Sequence, residues 1–128
     1  MEKKRILIVD DEESLARVFK LLIEKTGKYE TWKETNGSNA FATAKKFKPH
    51  LVLLDIMMPD IDGGEVASQL KEDAETRDIP IVFISAAITK EEENEQGIMK
   101  GGHPILAKPV SMEKLLATIE KYTRDKSE

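Results

Sequence analysis

The chain has 128 residues, a net charge of −4 and no cysteine. This length suits one domain, predicted over residues 1–128 with its core in about 4–122, and a core of that size needs no disulfide. The acidic balance argues against nucleic acid as a partner, and the lack of cysteine excludes thiol catalysis and Cys-ligated zinc. No apolar run could span a membrane and no secretory h-region is present, so we expect a cytoplasmic location without membrane contact.

Short apolar runs that end in polar residues predict four buried strands. Branched residues that are apolar on both faces are typical of parallel strands covered by helices on both sides. A more polar segment, residues 29–35, is predicted to be an edge strand. The four apolar runs are Ile6–Val9, Leu51–Leu54, Ile81–Ile84 and Ile105–Ala107.

Segments with apolar residues at helical spacing alternate with these strands. The first helix is predicted to end near Gly27, a residue type common just beyond helix C-termini. Ser38 and Ser111 are the predicted N-caps of the second and fifth helices. The third predicted helix carries Val66, Ala67 and Leu70 on its apolar face.

The fourth predicted helix has the weakest pattern. Thr89 and Glu92 form a capping box, but acidic and amide side chains dominate as far as Ile98 and Met99, so we expect it to be short, loosely packed or mobile. The five alternations of strand and helix, (βα)₅, predict an α/β fold with a parallel sheet and helices on both faces.

Polar residues follow the four apolar runs, at one edge of the predicted sheet, where ligands of open α/β folds bind. Three close carboxylates repel one another unless a cation joins them, and Mg²⁺ favours carboxylate, carbonyl and phosphate oxygens. Three carboxylates, Mg²⁺ and a lysine balance in charge, which predicts phosphoryl transfer with Asp55 as the nucleophile. The strand-end residues are Asp10, Asp11, Asp55, Ser85 and Lys108.

Each of these residues also has a simpler interpretation when taken singly. Asp10, Asp11 and Glu12 could cap the first helix. Lys108 could be a solvated loop lysine, and Ser85 could be a turn residue. The hypothesis therefore depends on the whole set.

In order and spacing, the motifs resemble the receiver domain of bacterial two-component response regulators, over residues from about 4 to 122. The resemblance implies a doubly wound, flavodoxin-like sheet of five parallel strands in the order 2-1-3-4-5. It also implies a phosphoryl donor, which is a sensor histidine kinase or a histidine phosphotransfer protein. The motifs are residues 6–12, residues 55–63, Ser85-Ala86 and Lys108-Pro109.

The resemblance assigns a role to each site residue. Asp55 accepts the phosphoryl group and ligates Mg²⁺, for which Mn²⁺ could substitute. Asp11 and the backbone carbonyl of Met57 also ligate the metal, while Asp10 acts largely through water. The remaining roles are an ion pair from Lys108 to the phosphoryl oxygens, a hydrogen bond from Ser85 to one of them, a small side chain at Ala86 that leaves the site open, and a cis peptide before Pro109.

Three positions depart from the family's pattern. Ile105 stands where an aromatic residue usually swings inward on activation, so the usual coupling between that ring and the serine is not expected. Met57 and Ala87 occupy two positions that often tune the lifetime of the phosphoryl group. Neither side chain can orient an attacking water, which predicts slow self-dephosphorylation.

The leading hypothesis is a phosphoacceptor switch without its own output domain, which acts on an unknown downstream protein as a monomer or a weak phosphorylation-dependent dimer. It would catalyse only its own phosphorylation and dephosphorylation. One alternative is a metal-dependent aspartyl phosphohydrolase, although Met57 stands where such enzymes often keep a second acid. The other alternative is a receiver that acts as a docking module without phosphorylation.

Overall fold

A computed structural model describes residues 3–88 and 99–124, in which strands and helices alternate. The strands are β1 Lys4–Val9, β2 Tyr29–Glu34, β3 Leu51–Asp55, β4 Ile81–Ser85, β5 Met99–Lys100 and β6 His103–Ala107. The helices are α1 Glu13–Lys25, α2 Ala40–Phe47, α3 Gly63–Glu72 and α4 Met112–Thr123, and a 3₁₀ turn at Gly37–Asn39 precedes α2.

The strands form one sheet in the order β2-β1-β3-β4-β6-β5. Its five longer strands are parallel, which confirms the predicted fold and its 2-1-3-4-5 order. The additional strand, β5, pairs antiparallel with β6. Gly101 and Gly102 connect the two strands with φ values of 57° and 85°, and positive φ at both central residues suits a two-residue hairpin turn.

Two apolar layers cover the sheet, because successive strand residues point to opposite faces. Ile6 and Ile8 pack with buried residues of α1 and α4 on one face. Leu7 and Val9 pack with α2 and α3 on the other. Every residue of β3 is buried, as expected for a central parallel strand covered on both sides.

The helix ends test the predicted caps. Gly27 lies just beyond α1 with a φ of 79°, and Ser111 accepts a hydrogen bond from the Lys114 N–H at 3.1 Å, so both predictions are confirmed. The prediction for Ser38 was wrong, since α2 begins only at Ala40. Ser38 lies in the preceding 3₁₀ turn, where Asn36 provides the cap by accepting a hydrogen bond from the Ser38 N–H.

The predicted fourth helix, from Thr89 onward, lies outside the described residues. Met99, one of the first apolar residues of that predicted helix, lies instead in β5, where it pairs with Pro104 of β6. None of the helices in residues 3–88 and 99–124 combines the length and the apolar character that crossing a bilayer requires.

Candidate phosphoacceptor site

Strand register brings the polar residues together at the carboxyl edge of the sheet. Val9 of β1 pairs with Leu54 of β3, so Asp10 and Asp55 follow at the same level. On the other side of β3, Asp55 pairs with Ile84 of β4. Ser85 follows Ile84, and its carbonyl accepts a hydrogen bond from the Lys108 N–H at 2.9 Å. Four strands therefore contribute to one small region.

Asp10, Asp11 and Asp55 form a cluster of three carboxylates. One oxygen from each lies within 4.8 Å of the others. Asp10 and Asp55 are only 2 % and 4 % exposed, whereas Asp11 is open to solvent. This geometry requires compensation by positive charge, because buried like charges at such distances repel strongly.

Lys108 supplies part of that compensation. Its Nζ atom lies 3.1 Å from Asp10 Oδ2 and 3.5 Å from Asp55 Oδ2. Burial opposes the charge of the ammonium group, but these two carboxylates together with Glu12 outweigh it and raise the pKa of Lys108. The lysine is therefore held as a cation inside the site. The following peptide bond, Lys108–Pro109, is cis.

Asp55 shows the electrostatic cost of the cluster most clearly. Burial and the neighbouring charge of Asp10 raise its pKa from 3.8 to about 6. Lys108 and a hydrogen bond from the Met57 N–H to Asp55 Oδ1, at 3.2 Å, pull the pKa back down, and the carboxyl group of Asp11 raises it. One lysine thus leaves the negative charge of the cluster only partly balanced.

The cluster has the donor chemistry of a site for a hard divalent cation. Asp10 Oδ2 is buried and accepts no well-directed hydrogen bond from the part of the chain that the structure describes, although Lys108 pairs with it in charge. Because Lys108 is shared with Glu12 and Asp55, it offsets only part of the cost of burying this carboxylate oxygen, and a further cation would lower that cost. Carboxylate oxygens from three aspartates suit Mg²⁺, so the residues present fit a metal of this type.

Ser85 and Met57 lie beside the cluster. Ser85 is 1 % exposed at the end of β4, and its hydroxyl oxygen accepts a hydrogen bond from the Ala87 N–H at 3.0 Å. The hydroxyl proton is not used in that bond. Met57 begins the loop after β3, with 63 % of its surface exposed. Its side chain therefore faces solvent rather than the core.

The loop that follows Asp55 packs tightly against its surroundings. The Gly63 N–H donates to the Ile56 carbonyl at 2.8 Å, and a Cβ atom at Gly63 would lie 2.5 Å from the Asp55 carbonyl oxygen. On the outer side, Asp60 Oδ2 accepts hydrogen bonds from the N–H and the hydroxyl of Ser38, at 2.8 and 2.7 Å. These contacts hold both ends of the loop in place.

Ile105, at the position where the receiver domains that the sequence resembles usually have an aromatic residue, is 8 % exposed. It belongs to the same apolar cluster as Phe83 on the α2–α3 face of the sheet. His103, two residues earlier, contacts the Phe83 ring edge-on, with 5.7 Å between ring centroids. The aromatic surface near this strand is therefore built from other positions.

Sequence reasoning missed two features of the site. The sequence assigns Glu12 to the first motif and to a possible helix cap but predicts no partner for its side chain, and in the structure its Oε1 atom lies 3.2 Å from Lys108 Nζ. The contact between Ser38 and Asp60 was missed as well. No sequence signal could have found either pair, because their members are 96 and 22 residues apart and meet only after folding.

Known proteins match the chain along most of its length. The family model of the response regulator receiver domain matches residues 6–120. The polar-differentiation response regulator DivK of Brucella anthropi is 37 % identical over 123 residues, which cover 95 % of this chain and 98 % of that protein.

Solved structures share the fold. The chemotaxis protein CheY4 of Vibrio cholerae has a TM-score of 0.81 and 26 % identity, over 94 % of this chain and 99 % of that one. A sensor protein from Polaromonas sp. JS666 has a TM-score of 0.81 and 27 % identity, over 95 % of this chain and 97 % of that one.

Proposed function

Because the chain belongs to the response regulator receiver family, whose members are phosphoacceptor switches of two-component signalling, we propose that Asp55 is its phosphoacceptor. The observation that carries this proposal is the meeting of three aspartates and Lys108 at the carboxyl edge of the sheet. Phosphoryl transfer requires mainly positioning and charge neutralisation, and this group of side chains provides both. Neither the phosphohydrolase nor the docking-only alternative is favoured by the family match.

In the proposed reaction, an Asp55 carboxylate oxygen forms a bond to phosphorus while the phosphorus–nitrogen bond of a phosphohistidine breaks. The leaving imidazole nitrogen keeps the bonding electron pair and takes up a proton from solvent. With a pKa of about 6, Asp55 is mostly ionised at neutral pH and can attack. Lys108 is near enough to form an ion pair with the oxygens of the new phosphoryl group, since its Nζ atom already lies 3.5 Å from Asp55 Oδ2.

Asp10, Asp11, Asp55 and the Met57 carbonyl are the proposed ligands for Mg²⁺, with Mn²⁺ as a substitute. A bound divalent cation would neutralise the acids and the phosphoryl oxygens at once. Ser85 is proposed to donate its hydroxyl proton to a phosphoryl oxygen. It can do so while still accepting from the Ala87 N–H, because a hydroxyl group has one donor and two acceptor sites.

The proposed donor is a sensor histidine kinase or a histidine phosphotransfer protein in the cytoplasm. Val18, Leu21 and Leu22 on α1 are 47 %, 60 % and 38 % exposed. These apolar side chains lie on the helix that directly follows Asp10 and Asp11, so a partner bound there would reach the site. We propose that phosphorylation then changes binding to a further protein, by a monomer or a weak dimer, and that the chain catalyses no reaction beyond its own phosphorylation and dephosphorylation.

Phosphorylation by a small donor tests this proposal. The purified protein incubated with Mg²⁺ and phosphoramidate is expected to gain one phosphate by intact mass, and EDTA is expected to prevent the gain. Asp55→Asn is expected to remove the adduct completely. The matched control, Asp78→Asn, alters an exposed aspartate outside the cluster and is expected to behave as wild type. An unmodified wild-type protein, or an Asp55→Asn protein that still gains phosphate, would contradict the proposal.

The phosphorylated protein is expected to lose its phosphate slowly, over many minutes or longer. The side chains of Met57 and Ala87 are exposed but have no group that could hydrogen-bond to a water molecule attacking the phosphorus atom. Met57→Asn supplies such a group and is expected to accelerate the loss by about tenfold or more, whereas Met57→Leu is expected to leave it unchanged. The decay of the adduct after donor removal measures both effects, and wild-type decay within seconds would refute the expectation.

A further inference from the structure

Lys108 has more carboxylate neighbours than its single positive charge can balance. Its Nζ atom lies 3.1 Å from Asp10, 3.2 Å from Glu12 and 3.5 Å from Asp55. The side chains of Asp10 and Asp55 are buried, whereas that of Glu12 is 59 % exposed. Since exposed ion pairs are weak, Glu12 is the member of this group that can exchange its contact with the lysine most easily.

The contact from Glu12 to Lys108 is not a by-product of helix capping. Glu12 occupies the N-cap position of α1, but its side chain accepts no hydrogen bond from the first turn. Its backbone N–H donates to Asp10 Oδ1 at 2.9 Å, which fixes the backbone of Glu12 beside the acid cluster. From there the side chain extends to Lys108, which follows the carboxyl end of β6.

We propose that Glu12 is a positioning residue that holds Lys108 in the unphosphorylated protein and competes with an arriving phosphoryl group for its ammonium. This inference rests on the proposed function, because it requires phosphorylation of Asp55. To pair with phosphoryl oxygens, the ammonium group must weaken its contact with Glu12. Glu12 thus slows phosphorylation without touching the phosphoryl group.

Rates of phosphorylation by phosphoramidate with Mg²⁺ test the competition. Glu12→Gln keeps the size of the side chain and removes its charge, and it is expected to raise the rate by about twofold to fivefold. Glu12→Asp keeps the charge but is one methylene shorter, so it is expected to lose the contact and to be faster than wild type as well. Glu13→Gln removes the same charge one residue later, from a side chain paired with Lys33, and is expected to match wild type.

A double-mutant cycle distinguishes an effect of Glu12 through its contact with Lys108 from an effect of its negative charge on the site as a whole. In a Lys108→Met background, Glu12→Gln is expected to have no further effect on the remaining rate, because the contested group is gone. The affinity for beryllofluoride, a phosphoryl mimic, measured by calorimetry with Mg²⁺, is expected to rise for Glu12→Gln by a factor similar to that of the rate. This second readout does not depend on turnover.

The outcomes distinguish the two proposals. If wild type gains phosphate but Glu12→Gln is unchanged or slower, the competition is wrong and the proposed function stands. If Glu12→Gln accelerates the reaction equally with and without Lys108, the glutamate acts only through its charge and the competition is again wrong. If wild type gains no phosphate, the proposed function itself fails.

Discussion

Asp55→Asn is expected to make the metal-free protein more stable than wild type at neutral pH, although it removes the proposed phosphoacceptor. Asp55 is 4 % exposed, and burial and Asp10 raise its pKa from 3.8 to about 6. The folded protein therefore binds this proton more tightly than the unfolded chain does. The contribution of this bound proton to the free energy of unfolding is fully present below about pH 4 and is lost as the pH rises through about 6.

The size of the effect follows from the same values. A rise from 3.8 to about 6 corresponds to at most about 3 kcal/mol at pH 7.5 and above. The pKa of about 6 already includes the attraction of Lys108. Asparagine keeps polar atoms in the buried site, so we expect a gain of about 1–3 kcal/mol, or roughly 4–10 °C in Tm. Urea and thermal unfolding in EDTA at pH 5 and pH 7.5 measure the gain, which is expected to shrink at pH 5.

Two controls accompany this measurement. Asp78→Asn, at an exposed site, is expected to leave Tm within the error of wild type at both pH values. Mg²⁺ is expected to narrow the gap between wild type and Asp55→Asn, since binding to the folded acid cluster stabilises wild type more. An Asp55→Asn protein no more stable than wild type at pH 7.5 would show that Lys108 already balances the cluster.

Gly63→Ala is expected to damage both the stability and the site. Its Cβ atom would lie 2.5 Å from the Asp55 carbonyl oxygen and 2.7 Å from Ile56 Cα, both of them backbone atoms. No side chain can rotate away to relieve these contacts, so the chain that carries the phosphoacceptor must shift. We expect a loss of about 1–3 kcal/mol in the free energy of unfolding.

The same shift is expected to reduce the rate of phosphorylation by about tenfold or more, because small errors in the position of a reacting group are costly. Mg²⁺ affinity is expected to fall with it. Gly64→Ala adds a methyl group one residue later in α3, where Gly64 lines an open surface cavity. This variant is expected to keep the stability and the phosphorylation rate of wild type. A Gly63→Ala protein with wild-type stability and rate would mean that the loop after Asp55 adapts freely.

The sequence alone was sufficient for the sheet and for the edge at which the polar residues meet. Apolar runs such as Leu51–Leu54 predict buried parallel strands, because helices on both faces require apolar side chains on both faces. Once the strands are parallel, their carboxyl ends coincide, and residues that follow different strands become neighbours. The cap at Ser111 was also predictable, since it depends on residues within one turn.

Local pattern was less informative where two conformations compete. Ser38 has the residue type of a helix cap, but Asn36 caps the 3₁₀ turn instead and leaves the Ser38 hydroxyl for Asp60. The pair Gly101-Gly102 favours a two-residue hairpin turn, which competes with a helix in this region. Met99 therefore lies in a strand that the helical interpretation of this region did not include.

The sequence by itself determined which strands end in polar residues and which residue types stand there. It could do so because hydrophobic periodicity is a local property that can be recognised without knowledge of the fold. Only the tertiary structure decided which charges are in contact. Strand register and the path of the loops bring Lys108 into contact with Asp10, Glu12 and Asp55. The pKa of Asp55 is raised because its carboxyl group is buried beside Asp10. Distances of a few ångströms set these energies, and they exist only once the sheet and its loops have formed.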